Sequence, residues 1–256
     1  MLAVDIQPPG LEDRAFVPVE PQPAQGVDAA LEFAATRDAC VLGPGCSQHP
    51  DTREFTLKFI RRCPVPLVVD ADGLNNLSTN VAVLKQTESP VVLTPHPGEM
   101  ARLTGQLTPE IQADRAGMAA RFAAEYGCTV VLKGAGTIVA APGLDTHLNT
   151  TGNDGMGTGG TGDVLSGVIG GLIAQGLDGA DAALLGVYAH GLAGDIAAER
   201  RGRRGMLAGD LVEALPEAWL ARPVPTRALG AVVRLLAAGR FVEKKGFSVL
   251  LAALRA

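Results

Sequence analysis

The chain has 256 residues, 47% of them apolar, with a formal net charge of −5. That length suits one α/β domain, or a domain with an appendage, and can bury roughly 70–75% of its unfolded surface without disulfides. The acidic balance and the low aromatic content of 4% argue against nucleic acid or an anionic membrane as a partner, since neither a global field nor stacking surface is present.

The opening MLAVDIQPPG has neither a basic segment nor an apolar run, so no signal peptide is expected. Four β-branched runs then end abruptly in loops rich in Gly, Pro, Asp or Asn. ACVL enters GPG (43–45), PLVVD enters ADGLNN (71–76), PVVL enters TPHPGE (94–99) and TVVL enters KGAGT (133–137). Continuous rather than alternating apolar runs suit strands covered on both faces, as in parallel sheets.

The segments between them can hold crossover helices. The clearest is 109–126, with Thr108 as N-cap, Pro109 in the first turn, Gly127 as the stop, and Met118, Ala119, Phe122 and Tyr126 on one face. TIVAAPGLDTHLNT predicts an edge hairpin around its PGLD turn, and 164–176, 178–200 and about 208–220 predict helices. The longest apolar stretch, Val164 to Leu177, is too short for a membrane span. Cys40, Cys46, Cys63 and Cys128 form no CxxC pair and are expected to be reduced. Arg200, Arg201, Arg203 and Arg204 read as a solvated helix end rather than a phosphate patch. From residue 223 the composition turns basic and apolar, which predicts one or two amphipathic helices or a poorly ordered tail.

Strands alternating with helices predict an open, mostly parallel sheet with helices on both faces. In such sheets ligands bind beyond the carboxyl ends of the strands, where all four loops fall. A fifth loop joins them: six of the eleven residues from Gly152 to Gly162 are glycine, and an apolar helix follows. A helix N-terminus offers unpaired N–H groups to an anion, and glycines let backbone close around a phosphate. Gly160, Thr161 and Gly162 would supply such donors. Asp163, of the wrong sign to bind phosphate, reads either as a general base or as the N-cap of the helix.

Lys133 can neutralise nucleotide phosphates, or be an ordinary strand-end lysine. His96, held between prolines, can contact substrate or be structural. Glu99 can hold Mg²⁺ or an ordered water near the phosphates, or favour the helix dipole as a cap. Asp70, Asp72 and Asn75 can hold a hydrated metal or simply form a loop. His49, His147 and His190 sit in no motif.

LGPG, VVDADGLN, LTPHPGEMARL, VVLKGAGT and NTTGNDGMGTGGTGDVLSGVIGGLIAQG, in this order, resemble the ADP/ATP-dependent NAD(P)H-hydrate dehydratases, which have a ribokinase-like fold. The resemblance covers roughly residues 1–220 and implies a domain over 1–222, with 223–256 as an extension. It implies phosphorylation of the ring hydroxyl of the S hydrate by ATP or ADP with Mg²⁺, then elimination of phosphate to restore NAD(P)H. By the family pattern Asp163 is the base; Gly160, Thr161 and Gly162 hold the transferring group; and Lys133, Gly134, Ala135, Gly136 and Thr137 contact the adenine nucleotide. Gly45, His96, Asn153 and Asp163 face the hydrate, and Glu99 serves the metal. A cytoplasmic homo-oligomer is implied. The family's usual N-terminal strand, GGS-type loop and helix are expected to be missing. Vitamin-precursor kinases of the same fold carry Asn where His96 stands, which makes a hydroxymethylpyrimidine-type kinase the alternative. A truncated, non-catalytic nucleotide-binding protein is the other.

Overall fold

Apolar runs four residues long can satisfy their backbone groups only in a ladder, and here they do so side by side. A computed structural model describes residues 2–4, 16–18, 25–220 and 235–238. Strands β3 (Ala39–Leu42), β4 (Leu67–Val69), β5 (Val91–Leu93) and β6 (Thr129–Leu132) pair in parallel. The hairpin β7 (Ile138–Ala140) and β8 (His147–Leu148) then adds antiparallel at one edge, as the PGLD turn predicts.

Alternate strand residues serve two cores. Cys40, Leu42, Leu67, Val69 and Leu93 face helices α1 (Gln25–Ala34), α2 (Pro50–Arg62), α3 (Asp72–Leu77), α4 (Pro97–Thr104) and α6 (Arg115–Tyr126). Ala39, Val41, Val68, Val92 and Val131 face α7 (Thr161–Ala174), α8 (Gly179–Arg201) and α9 (Ala208–Leu220). This is why the strands read as unbroken apolar runs: both faces are covered. Among the described residues no helix is long and apolar enough to cross a membrane, and all four cysteines are free.

Three expectations change. The helix predicted over 109–126 is two helices, α5 (Thr108–Ala113) and α6, and Leu107 rather than Thr108 holds the N-cap position. Asp114 breaks it: its backbone leaves the helical region (φ −141°), and its carboxylate accepts from Gly117 N at 2.9 Å, capping α6. An aspartate's affinity for nearby N–H groups favours a cap over a helix interior. Gly127 does stop α6, in the left-handed conformation.

The second change concerns the tail. Residues Leu235–Ala238 form a strand, β9, and not a helix. It pairs in parallel with β3, Ala39 opposite Leu235 through Leu42 opposite Ala238. A strand buried on both faces needs partners for its N–H and C=O groups on both edges, which an extended segment supplies and a helix does not. The remainder of 223–256 lies outside the described residues. Two further short strands, β1 (Leu2–Val4) and β2 (Phe16–Pro18), continue the sheet antiparallel beyond β9. The third change, the start of α7, bears on the site.

Candidate active site

The strand ends are locked to one another before any side chain acts. Asp70 N donates to Leu42 O at 3.0 Å, and Lys133 N donates to Pro95 O at 2.8 Å. Gly43, at φ +130°, lies so close to β4 that a Cβ would stand 1.8 Å from Asp70 O. Only glycine lets the two loops meet there.

Lys133 sits at the centre. Its Nζ lies 2.7 Å from Asp70 Oδ1 and 3.7 Å from Glu99 Oε2. Asp70 is 1% exposed, and the Lys133 side chain is 19% exposed. Burial by itself would push the ammonium toward losing its proton, but Asp70 and Glu99, with Asp163 adding, hold its pKa above the ordinary lysine value. Glu99 is raised chiefly by burial, with Lys133 opposing.

His96 and Glu99 form a reciprocal cap on α4. The His96 Nδ1 accepts from Gly98 N (3.0 Å) and Glu99 N (3.2 Å), while Glu99 Oε2 accepts from His96 N (2.8 Å). An accepting Nδ1 requires an unprotonated nitrogen, and burial, Lys133 and Arg102 all lower the His96 pKa. The proton of the neutral ring therefore sits on Nε2, 3.5 Å from Glu99 Oε1 on a half-exposed side chain. The structural reading of His96 holds at Nδ1, and the substrate-contact reading has a donor at Nε2.

Asp72 accepts from Ser47 N (3.0 Å) and Gln48 Nε2 (3.1 Å), and Asn75 Oδ1 accepts from Arg102 Nε (2.9 Å). Both knit the loops together, the plainer of their two readings. No group of three or more His, Cys, Asp or Glu among the described residues is arranged to hold a metal by itself.

The glycine run closes the site. Helix α7 begins at Thr161, not at 164, and its N-cap is Gly160 at φ +93°. Asp163 is thus the third residue of the helix, and the N-cap alternative for it fails. Thr161 Oγ1 folds the run onto itself through Met156 O (2.8 Å) and Thr158 O (3.0 Å). His190 Nε2 donates to Thr161 O at 2.9 Å from beneath. Packing explains some of the glycines: a Cβ on Gly155 would stand 2.6 Å from Arg203 O. It does not explain Gly157 or Gly159, where a Cβ would meet nothing within 4 Å and φ is not in the left-handed region. Gly157 lines the cavity at this end of the run, where a residue without a side chain leaves the backbone open to a ligand.

A cavity of about 760 Å³ opens here, lined by KGAGT, the hairpin end from Leu148 to Asp154, Met156, Gly157, and Thr161 and Gly162 of α7. Its volume falls within the usual range for small-molecule sites. Of the predicted nucleotide residues, Lys133, Gly134, Ala135, Gly136, Thr137, Thr161 and Gly162 line it, and Gly160 does not. Asn153 lines it too, but its Nδ2 donates to Gly194 O (3.0 Å) and Asp195 Oδ1 (2.9 Å), and its Oδ1 accepts from Gly155 N. What it supplies is loop support. Gly45, His96, Glu99 and Asp163 lie outside this lining, and Lys133 links the two sides.

The chain matches the family model described as NAD(P)H-hydrate dehydratase over residues 14–217. The chain belongs to that family. The bifunctional NAD(P)H-hydrate repair enzyme Nnr of Moorella thermoacetica is 50% identical over 190 residues, covering 74% of this chain and 36% of that protein. This chain therefore spans about a third of the length of the bifunctional relatives it matches. A crystal structure of an ADP/ATP-dependent NAD(P)H-hydrate dehydratase from Bacillus subtilis, co-crystallised with ATP/Mg²⁺ and soaked with CoA, superposes with a TM-score of 0.64. It is 33% identical and covers 75% of this chain and 71% of its own. A ribokinase-like superfamily protein from Enterococcus faecalis is 27% identical with a TM-score of 0.58, over 68% of this chain and 61% of that one. The dehydratase-family fold of this chain is ribokinase-like.

In this dehydratase-family member two contributors escape sequence reading. Arg115, at the start of α6, donates to the carbonyls of Ala135 (2.6 Å), Leu132 (3.0 Å) and Lys133 (3.2 Å), clamping KGAGT. Arg203 lines the cavity and pairs with Asp154 at 3.0 Å, while Arg200, Arg201 and Arg203 stay solvent-exposed as expected. Arg201 instead pairs with Asp210 (3.3 Å), and Arg200 with Glu217, tying α8 to α9. No spacing in the sequence announces either contact.

Replacing Gly157 with alanine separates packing from ligand approach. The melting temperature should stay within about 2 °C of the parent, while ADP affinity measured by calorimetry falls about tenfold. An unchanged affinity would assign that glycine to the chain itself.

Proposed function

We propose that the chain dehydrates the S hydrate of NADH and NADPH at the expense of ATP or ADP, with residues 1–222 forming the catalytic domain and β9 from the extension completing its sheet. The observation that supports this most is the meeting of a nucleotide-sized cavity with the first turn of α7, where Gly162 faces Lys133 and Asp163 follows. Water added across a nicotinamide double bond leaves a hydroxyl, and hydroxide is a poor leaving group. Asp163 takes the proton from that hydroxyl as its oxygen bonds to the terminal phosphorus of the nucleotide. The bond to the bridging oxygen breaks, and ADP leaves (AMP when ADP is the donor). The ring nitrogen then expels phosphate, the iminium so formed loses a proton from the adjacent ring carbon to phosphate or water, and the dihydronicotinamide is restored.

The chain's part is positioning and charge stabilisation, as is usual for phosphoryl transfer. KGAGT and the glycine run hold the nucleotide, and the Lys133 ammonium faces the transferring group. His96 Nε2–H and the Gly45 loop orient the hydrate. Magnesium, when bound with the nucleotide, neutralises phosphate charge. Such an ion is held by one or two carboxylates plus substrate phosphates rather than by a protein cage. Glu99, a buried carboxylate 3.7 Å from the Lys133 ammonium, fits that demand.

The test is repair of NADHX by the protein with Mg²⁺ and either ATP or ADP, read as recovery of reduced-nicotinamide absorbance. Recovery with equimolar phosphate release is expected. Accumulation of a stable phosphorylated vitamin precursor, with no recovery of NADH, would replace this reading with the kinase one.

A further inference from the structure

Asp70 is the least exposed charged group in the site, and nothing in the proposed chemistry requires it to touch substrate. Its backbone is held at three points. Its N–H donates to Leu42 O, its carbonyl accepts from Gly73 N at 2.9 Å, and Gly43 packs directly against that carbonyl.

Lys133, by contrast, carries a four-carbon stem with many rotamers, and a free ammonium would sample most of them. Two acids are within reach. Glu99 Oε2 is 3.7 Å away and already accepts from His96 N at 2.8 Å. Asp70 Oδ1 is 2.7 Å away, so Asp70 is the principal anchor. The result is an ammonium placed 3.3 Å from where a Gly162 Cβ would stand, at the first turn of α7. A substituent on Gly162 would push the ammonium off that point.

We propose that Asp70 is a positioning residue for phosphoryl transfer, holding the Lys133 ammonium against the first turn of α7, where the transferring group binds. The inference rests on the nucleotide-dependent reading of this site and adds a residue to it. Asp70 acts through Lys133. It lets a flexible lysine present charge at one place, where a misplacement of about 1 Å costs on the order of 10²-fold in rate.

The experiment is a double-mutant cycle on the full chain with Asp70→Asn and Lys133→Met, each checked for folding by circular dichroism. Asp70→Asn and Lys133→Met should each lower kcat for NADHX dehydration about 10²-fold, with the KM for NADHX moving less than about threefold. Groups that work as a unit are not additive, so Asp70→Asn added to Lys133→Met should slow the reaction less than about threefold further. That last comparison needs only the Lys133→Met protein and the double variant. It therefore survives a failure of Asp70→Asn alone to fold, which a buried, uncompensated ammonium could cause.

A double variant at least about tenfold slower than Lys133→Met would overturn the proposal, giving Asp70 an independent role such as holding a cation. So would unaltered turnover in Asp70→Asn. If the parent protein dehydrates nothing with either nucleotide, the dehydratase reading fails separately, and the same cycle is read on ADP binding by calorimetry. There the losses should again coincide, and equal ADP affinity in Asp70→Asn and the parent would sink the anchor role.

Discussion

Asp163→Asn is expected to lower turnover of NADHX by about 10³- to 10⁴-fold, the upper part of the range for a lost general base. The substitution keeps the size and shape of the side chain and removes its ability to take a proton. Its clarity comes from the position of Asp163. Because α7 starts at Thr161 with Gly160 as N-cap, no cap is lost, and the helix should keep its stability. Nucleotide binding should also persist, since the residues that line the cavity are untouched. ADP affinity by calorimetry is expected within about threefold of the parent, less than 1 kcal/mol. Turnover at parental rates would remove Asp163 from the mechanism; joint loss of binding and turnover would make it a structural residue of the cradle.

The second large effect is on stability and comes from a histidine that no motif marks. His190 on α8 is buried beneath the first turn of α7 and donates to Thr161 O. Burial pushes its pKa down from 6.5 to about 4, with the Thr161 carbonyl opposing and Lys133 adding slightly. The unfolded chain then takes up a proton at a pH where the native state does not. The contribution to stability is full above 6.5 and is lost as pH falls from there toward 4, where it amounts to about 3 kcal/mol. Urea unfolding at pH 7 and pH 4 measures it, and the difference between parent and His190→Gln isolates this group from the other titrating residues. The variant should be less stable at pH 7, from the altered contact with Thr161, and should lack about 3 kcal/mol of the parent's acid sensitivity. Equal acid sensitivity in both proteins would show that His190 is not held neutral by its site.

Much of this was written locally. The four apolar runs declare strands covered on both faces, and each loop after them is recognisable because glycine, proline and aspartate have few other uses in such a place. TPHPGE is legible as a stiff loop opening a helix, and the reciprocal His96–Glu99 cap needs only four consecutive residues. Ambiguity stayed wherever one side chain had a local and a distant use. Asp114 read as the interior of one helix, and its bond to Gly117 N makes it the cap of a second. Asp163 could be a cap or a base, and the earlier start of α7 removed the cap.

Sequence alone determined the order of the four parallel strands and the edge hairpin, the loops that gather at the sheet's carboxyl edge, and the family. These depend on periodicity, backbone restriction and short motifs, all of which act over a few residues. The tertiary structure alone decided that Asp70 holds Lys133 across a separation of 63 positions, that Arg115 clamps KGAGT, that Arg203 reaches the cavity and that β9 lies beside β3. Each of these is a pairing of groups brought together by the winding of the sheet. Charge attraction and backbone hydrogen bonding act at a few ångströms whatever the separation along the chain, so their partners exist only once the layers have packed.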